Sequence, residues 1–303
     1  MGARKAVLAA DLGGSTLVGA VVTTRGDVRS PVRLLPVAEG GETSAVADQL
    51  AGLLADLRRD AADAGEVPVG AGVGVPGPFD YDHGVSHMQH KLRGLHGVAL
   101  RPPLEAAAGA PVRFCNDAVA FALGAQWREH PEELRLVGIT LGTGVGAGFV
   151  IDGRPAREGE GVPAGGEIWN LPYGAGILED AVSGRSIERG FEERTGVRRG
   201  VDAIAELARE GDEAALAAFA AFGGALGEGL ALAIADFAPS RIVCGGQIAK
   251  AFDLFGGNVT AAYAAAAREP AAIDPATADD LALSGAARCV LHAAGHRPTA
   301  PKG

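Results

Sequence analysis

Two adjacent residues, Asn116 and Asp117, are the strongest candidates for chemistry, because they follow a short apolar stretch and open a helical pattern. A carboxylate at such a position can take the proton of a hydroxyl group that attacks a phosphate. Phosphoryl transfer otherwise needs mainly Mg²⁺ and positioning. Asn and Asp are also preferred helix caps. The local sequence therefore leaves a cap and a catalytic base equally open.

Two glycine-rich turns offer backbone that could bind phosphate. We call them the first glycine turn (residues 11–16) and the second glycine turn (residues 141–146), and each lies between two apolar stretches. Glycine tolerates positive φ and lacks Cβ, so successive N–H groups can point at phosphate oxygens. Asp11 is placed to hold Mg²⁺ through water. The predicted nucleotide-binding residues of the two turns are Gly13, Gly14, Ser15, Thr16, Gly142, Thr143 and Gly144.

Each turn alone favours an ordinary hairpin, because glycine-rich turns are common, and neither has the P-loop or the dinucleotide-binding pattern. A third glycine pair follows a later apolar stretch, at Gly245, Gly246 and Gln247. Such a turn lets an adenosine lie against the backbone. Two hairpin turns followed by a glycine pair at a strand end, in this order along the chain, indicate an ATP-binding site more strongly than any one of the three turns alone.

Polar residues after the second glycine turn are candidates for binding a polyol. Carboxylates and amides bind vicinal hydroxyls through paired hydrogen bonds, as Glu167, Asn170 and Glu179 could do, and Trp169 offers an apolar face to a ring. Isolated glutamates are also common at surfaces, and tryptophans are common in cores. Gly77, in the Pro-Gly-Pro turn after an earlier predicted strand, is added to the predicted acceptor site.

Three histidines, His83, His87 and His90, would share one face of a helix and could then form a metal site. Gly84 and the preceding Pro78 make a helix there doubtful. A loop with some polar residues facing the acceptor is the favoured interpretation.

Hydrophobic periodicity predicts the elements that position these residues. Predicted strands span 6–10, 17–22, 67–75, 112–114, 136–141, 149–151 and 241–243, with a loop over 83–100. Predicted helices span 43–64, 116–130, 183–195, 203–209 and 213–237. The strand–turn–strand pattern near residue 11 recurs near residue 142, which predicts an internal repeat.

Length and charge limit the class of protein. A chain of 303 residues suits two lobes, and a net charge of −10 repels nucleic acids. Three scattered cysteines, with neither a signal-peptide pattern nor a clear membrane span, predict a cytoplasmic protein. The apolar run over 214–235 is mostly Ala and Gly and contains Glu228, so we expect a buried helix there and no membrane partner.

Taken together, these motifs resemble those of the ROK family of bacterial sugar kinases, in the actin/hexokinase-like ATPase superfamily. The matching segments, in family order, are Asp11–Ser15, Gly74–Pro78, Asn116–Ala118, Leu141–Gly144, Gly166–Ile168, Glu179 and Gly245-Gly246. The resemblance implies an α/β, two-lobed, ribonuclease H-like fold with a cleft between the lobes. We expect residues 1–115, joined by a C-terminal helix over 285–303, to form one lobe and residues 116–284 the other.

The resemblance also implies a mechanism. ATP and Mg²⁺ would be the cofactors, Asp117 the general base, and Asn116, Glu167 and Glu179 ligands of the acceptor. Many members are homodimers or higher homo-oligomers, so we expect a homo-oligomer here. Some members are repressors with an N-terminal winged helix. The first glycine turn begins at Asp11, which together with the acidic charge argues against DNA binding.

Departures from the family pattern bear on the acceptor. Trp169 and Asn170 replace a Gly-His pair, and the cysteines that bind structural zinc in the family are absent, so we predict no structural zinc. Ser15-Thr16 replaces a common Thr-Lys, which removes a cation near the phosphates.

The sequence therefore predicts an ATP-dependent kinase of a hexose, an amino sugar or a carbasugar or cyclitol. A non-catalytic sugar-binding sensor of the same fold is the alternative, and polyphosphate is an alternative phosphate donor.

Overall fold

The computed structural model describes residues 3–29, 32–37, 45–89, 92–159 and 161–293. The chain forms two compact units. The first ends at Glu132 and resumes at Ala278, and the second spans Glu133–Thr277. The first unit therefore extends past residue 115, where the sequence placed the end of the first lobe. The reason is that the helix after Asn116 packs within this unit, as described below.

The first unit is built on a five-stranded mixed sheet. Its elements up to residue 132 are β1 (Arg4–Leu12), β2 (Thr16–Thr23), β3 (Arg33–Pro36), α1 (Ala45–Asp63), β4 (Glu66–Val75), β5 (Phe79–Asp80), β6 (Val85–Ser86), α2 (Arg101–Ala108), β7 (Val112–Asn116) and α3 (Asp117–Arg128). The strand order is β3-β2-β1-β4-β7, in which β1, β4 and β7 are parallel. Leu50, Leu53, Leu54 and Leu57 of α1 are buried, as the periodicity predicted.

The second unit repeats this plan. Its elements are β8 (Arg135–Leu141), β9 (Val145–Ile151), β10 (Arg154–Ala156), β11 (Pro172–Tyr173), β12 (Gly176–Ile177), α4 (Leu178–Ala181), α5 (Gly184–Thr195), α6 (Val201–Arg209), α7 (Glu213–Ile234), β13 (Arg241–Gly245), α8 (Phe252–Ala266) and β14 (Ala272–Pro275). The sheet order is β10-β9-β8-β13-β14. In both sheets three consecutive strands form an antiparallel meander, and two later strands add in parallel beside its first strand. The predicted repeat is thus present in the topology.

Local differences from the predicted elements arise at the turns. The strand β9 begins at Val145, so the second glycine turn is shorter than predicted. The region predicted as a loop, 83–100, begins inside the hairpin β5–β6 and contains its second strand. His83 lies in the turn of this hairpin, where its Nδ1 is 2.8 Å from Asp80 Oδ2. This hairpin replaces the helix that a three-histidine metal site would need. His90 lies outside the described residues.

The long apolar helix α7 lies in the core of the second unit. It is long and apolar enough to cross a membrane by those two criteria alone. Phe219 and Phe222 pack against Phe255 of α8, with ring centroids 6.3 and 5.1 Å away. One face of α7 is thus buried, as predicted for a core helix.

The last helix, α9 (Leu281–Ala293), packs in the first unit against α3, β1 and β4. Its backbone approaches α3 so closely that glycine is needed on both helices. A Cβ on Gly285 would lie closer than 3.0 Å to the carbonyl oxygen of Ala120. A Cβ on Gly124 would also lie closer than 3.0 Å to the carbonyl oxygen of Leu281. This packing holds α3, with Asp117 at its start, on the sheet of the first unit.

We predict that Gly285→Ala lowers the free energy of unfolding of the first unit by about 3 kcal/mol, because a methyl group there meets rigid backbone. The measurement is urea unfolding in a Trp169→Phe background, which leaves Trp127 of α3 as the fluorescent reporter. Gly52→Ala in α1 is the matched control: its Cβ would meet nothing within 4 Å, so it should be neutral or raise stability by about 0.5–1 kcal/mol. Equal effects of the two substitutions would contradict the packing argument.

Candidate active site

In the first unit, the carboxyl ends of three parallel strands bring the polar candidates to one edge of the sheet. Asp11 of β1 pairs in register with Gly74 of β4, and Val75 pairs with Asn116 of β7. The carboxyl ends of parallel strands are where α/β sheets generally bind ligands. Asp117 follows directly as the first residue of α3.

Asp11 carries a buried oxygen with an unsatisfied hydrogen-bonding capacity. The residue is partly exposed, but its Oδ1 is buried and accepts no hydrogen bond from the described residues. A Cβ on residue 74 would lie 2.7 Å from Oδ1, so Gly74 provides the room for this carboxylate. Burial, and secondarily the negative charge of Asp117, raises the pKa of Asp11 to about 7. A hydrated divalent cation would satisfy this oxygen and offset both effects, so Asp11 fits the predicted Mg²⁺ ligand.

The first glycine turn is tight and open to solvent. The N–H of Gly13 donates to the carbonyl oxygen of Thr16 at 2.8 Å, which closes the turn between β1 and β2. Gly14, Ser15 and Thr16 are exposed. The turn thus presents backbone N–H and hydroxyl donors, as a phosphate-binding role requires.

The question of cap or catalyst is resolved for Asn116. Its Oδ1 accepts hydrogen bonds from the N–H groups of Ala118 (3.0 Å) and Val119 (3.2 Å), so Asn116 is the N-cap of α3. Asp117 is left in the first turn, where its Oδ1 accepts from the N–H of Ala118 at 2.9 Å. A negative charge at this end of a helix is favoured.

Tyr81, which the sequence did not single out, helps to orient Asn116. Its hydroxyl accepts a hydrogen bond from Asn116 Nδ2 at 3.2 Å and donates to the carbonyl oxygen of Val75 at 3.2 Å. Tyr81 lies in the hairpin that follows Gly77 and Pro78, so this bond connects the segment after the Pro-Gly-Pro turn to the start of α3. Nothing in the local sequence around Tyr81 distinguishes it from a surface tyrosine.

In the second unit, two glycine turns lie side by side at the ends of neighbouring parallel strands. Gly245 of β13 pairs in register with Thr140 of β8, just before Gly142 and Thr143. Gly246 has a φ of 89°, and a Cβ there would lie closer than 3.0 Å to backbone atoms of Leu141. Gly246 and Gln247 are exposed, so this backbone can contact a ligand.

Cys244, which precedes this turn, is buried, and burial together with the charge of Asp274 raises the pKa of its thiol to about 12.

The helix α5 is attached to the second glycine turn. The N–H of Gly184 donates to the carbonyl oxygen of Gly142 at 2.9 Å, and the N–H of Gly142 donates to that of Gly144 at 3.0 Å. A Cβ on Gly184 would lie 3.5 Å from Gly142 O and 3.8 Å from a methyl group of Ile248, which follows the Gly245-Gly246 turn. The start of α5 therefore lies beside both turns.

The candidate acceptor residues of the second unit occupy one exposed segment and the helix after it. Glu167, Trp169 and Asn170 are exposed, and Trp169 Nε1 donates to Glu167 Oε2 at 3.0 Å. Trp169 is thus a surface residue beside a carboxylate, not a core residue. The N–H of Glu179 donates to the carbonyl oxygen of Trp169 at 3.0 Å, which links the segment to α4.

Where the resemblance to the ROK family implies zinc-binding cysteines, this chain has the short hairpin β11–β12. The hydroxyl of Tyr173 donates to Glu228 Oε2 of α7 at 2.7 Å. Burial, with the hydrogen bond and charge of Glu228, raises the pKa of Tyr173 to about 12. The described residues contain no group of three His, Cys, Asp or Glu side chains placed to hold a metal ion.

Comparison with known proteins identifies the family. The ROK family pattern matches residues 7–292, and the chain belongs to the ROK family. It is 28% identical over 277 residues to a glucokinase of Thermotoga maritima, covering 83% of this chain and 84% of that protein. It is 30% identical over 230 residues to an N-acetyl-D-glucosamine kinase of Pectobacterium atrosepticum, covering 69% and 74% respectively.

Solved structures share the fold. The ROK hexokinase from Thermus thermophilus has a TM-score of 0.79 at 27% identity, covering 96% of this chain and 99% of that chain. A ROK family glucokinase from Streptomyces griseus, in complex with glucose and AMPPNP, has a TM-score of 0.75 at 23% identity, covering 93% and 98%. These likenesses confirm the predicted α/β, actin/hexokinase-like fold class.

We predict that Asp11→Asn stabilises the protein increasingly as the pH rises from about 4 to about 7, in buffer with EDTA. The unfolded chain ionises Asp11 from its ordinary pKa of 3.8, whereas the folded chain holds the proton up to about 7. Wild-type unfolding therefore releases a proton in this window, and wild-type stability falls with pH. Above pH 7 the stability difference between variant and wild type should stop changing, after a gain on the order of 4 kcal/mol relative to its value near pH 4.

The measurement is urea unfolding at a series of pH values. The exposed Asp63→Asn in α1 is the control and should show no such trend. A difference between Asp11→Asn and wild type that does not change with pH would contradict the prediction.

We also predict that the fold does not depend on zinc. A strong zinc chelator should leave the melting temperature unchanged, and elemental analysis should find far less than one zinc per chain. Tyr173→Phe, which removes the hydroxyl that bonds Glu228, should instead lower the melting temperature. Stoichiometric zinc, or unfolding on chelation, would show that other ligands replace the cysteines.

Proposed function

We propose that this protein transfers the γ-phosphoryl group of ATP to a hydroxyl of a hexose or a hexose-like polyol, with Asp117 as general base. The observation that carries the proposal is the division of roles at the start of α3. Asn116 caps the helix, and Asp117 therefore presents a carboxylate that capping does not require. Membership of the ROK family, with a glucokinase and an N-acetyl-D-glucosamine kinase among its relatives, supports a sugar kinase that uses ATP.

The proposed reaction is an in-line displacement at the γ-phosphorus. The acceptor oxygen forms the new P–O bond, the bond to the β-phosphate oxygen breaks, and ADP leaves. Asp117 takes the proton of the attacking hydroxyl. The hydrogen bond from the N–H of Ala118 fixes one oxygen of this carboxylate and so its orientation. Asp11 is the residue that would hold Mg²⁺, and the ion would supply positive charge beside the phosphates.

Other residues are assigned by their chemistry. The two glycine turns and the Gly245-Gly246-Gln247 turn bind the nucleotide through backbone N–H groups. Asn116, Glu167, Asn170 and Glu179, with Gly77, bind the acceptor. Trp169 and Asn170 replace the usual Gly-His pair, so an amino sugar and a carbasugar or cyclitol belong in the acceptor panel beside glucose. Four further expectations from the sequence stay predictions: a homo-oligomer, a cytoplasmic location, a cleft between two lobes, and the absence of nucleic-acid and membrane partners.

We predict that Asp117→Asn lowers turnover at least about 100-fold, because the amide cannot accept the proton. The assay is ADP release with ATP and Mg²⁺ against sugars, amino sugars and cyclitols. With polyphosphate as donor, which yields no ADP, the phosphorylated acceptor is measured instead. Affinity for ADP should change little, since the substitution keeps the size of the side chain. The exposed Asp82→Asn in the β5–β6 hairpin is the control and should retain normal turnover.

Near-normal turnover of Asp117→Asn would overturn the assignment of the base. Binding of a sugar without ADP release across the whole panel would indicate the non-catalytic sensor instead.

A further inference from the structure

The carboxylate of Glu179 lies in an anion-binding position at the second glycine turn. Its Oε2 accepts a hydrogen bond from the N–H of Val145 at 3.3 Å, and its Oε1 is 3.5 Å from a guanidinium nitrogen of Arg185. One carboxylate is therefore held between a backbone donor of the turn and a cationic side chain. A backbone N–H beside a guanidinium is an arrangement that also binds phosphate oxygens.

The position depends on a glycine and on the attachment of α5. A Cβ on Gly144 would lie closer than 3.0 Å to Glu179 Oε2, so an anion can reach the Val145 N–H only because residue 144 lacks a side chain. The bond from the N–H of Gly184 to the carbonyl oxygen of Gly142 anchors the start of α5 at the turn. Arg185, the next residue, is therefore fixed at its backbone, while its side chain is 64% exposed and can change partner.

The sequence gives a second reason to look for a cation here. Residues 11–16 contain neither Lys nor Arg. If glycine turns alone bound the phosphates of a nucleotide, Mg²⁺ would have to neutralise most of the negative charge of those phosphates. A guanidinium matches phosphate oxygens in a bidentate geometry that an ammonium group cannot provide.

We propose that this position takes a β- or γ-phosphate of the nucleotide, with Arg185 as a nucleotide-binding residue, and that Glu179 leaves it to bind the acceptor. The inference rests on the proposed function, because it assumes that the second glycine turn binds ATP. A carboxylate and a phosphate repel each other and cannot share the two donors. Arrival of the phosphate therefore releases Glu179, whose carboxylate becomes available for acceptor hydroxyls. Donor and acceptor binding are then coupled, with each favouring the other.

The experiment is calorimetric titration of the full-length protein with AMP, ADP and AMPPNP in the presence of Mg²⁺ and the absence of acceptor. Arg185→Ala should weaken ADP and AMPPNP about 10-fold or more, the usual effect of losing a charge-assisted hydrogen bond. Its affinity for AMP should match that of wild type, which also shows that the variant is folded. Arg185→Lys should recover part of the loss. Arg189→Ala, an exposed arginine one turn later in α5 that donates to the carbonyl oxygen of Asp180, is the matched control and should bind all three ligands normally.

Glu179→Gln tests the exchange of partners. It should bind ADP about 5-fold or more tightly than wild type without acceptor, because the competing anion is gone. It should also raise the KM of the acceptor. Three results would each overturn the inference. Arg185→Ala could bind ADP and AMPPNP as tightly as wild type, or its defect could be confined to the acceptor KM. Glu179→Gln could bind ADP with unchanged affinity. Failure of the wild type itself to bind any of the three nucleotides would overturn the proposed function as well, which distinguishes the two failures.

Discussion

The close approach of α9 to α3 is the constraint on which the arrangement of the first unit depends. Gly124 and Gly285 allow the two helix backbones to touch, and no side chain can be accommodated between them. The start of α3 is thereby set relative to the sheet, and with it the N-cap Asn116 and the carboxylate of Asp117. Because backbone contacts cannot adjust as side chains do, the position of Asp117 is determined by the fold and not by its immediate neighbours.

The same rigidity maintains an unfavourable electrostatic arrangement. Asp11 has a buried oxygen without a partner among the described residues, close to a second carboxylate that raises its pKa further. A protein selected for stability alone would have no use for such a pair, since buried charges are costly unless they are compensated. Departures of this kind are expected where stability has been given up for function. The pair is therefore a stronger indication of a ligand site than either aspartate alone.

Much of the fold could be predicted from the sequence, because the strands are short apolar runs and α1 has a regular leucine stripe. The order of glycine turns, strands and helices indicated the family. The end of the first unit was harder to predict, because α3 belongs to it through contacts with a helix more than 150 residues later in the chain.

Side-chain partners were the least predictable part of the candidate site. Asn116 and Asp117 looked equally suited to capping, and only the hydrogen bonds of α3 separate their roles. Tyr81 and Arg185 belong to no motif, and their relevance follows from distances to Asn116 and Glu179 that no local pattern encodes. The exposure of Trp169 could likewise not be predicted from the sequence, because it depends on how the segment that contains Glu167, Trp169 and Asn170 lies on the surface.

The buried thiol of Cys244 has a consequence for the chemical durability of the second unit. Oxidants and electrophiles attack the thiolate form of cysteine, and a pKa of about 12 leaves almost none of it at neutral pH. Cys244 is the only cysteine between residues 133 and 277. The turn that begins at Gly245 and the segment around Trp169 therefore lack any readily oxidised sulfur from cysteine. We therefore expect that peroxide or an alkylating reagent can modify the thiol of Cys244 only after this unit has unfolded.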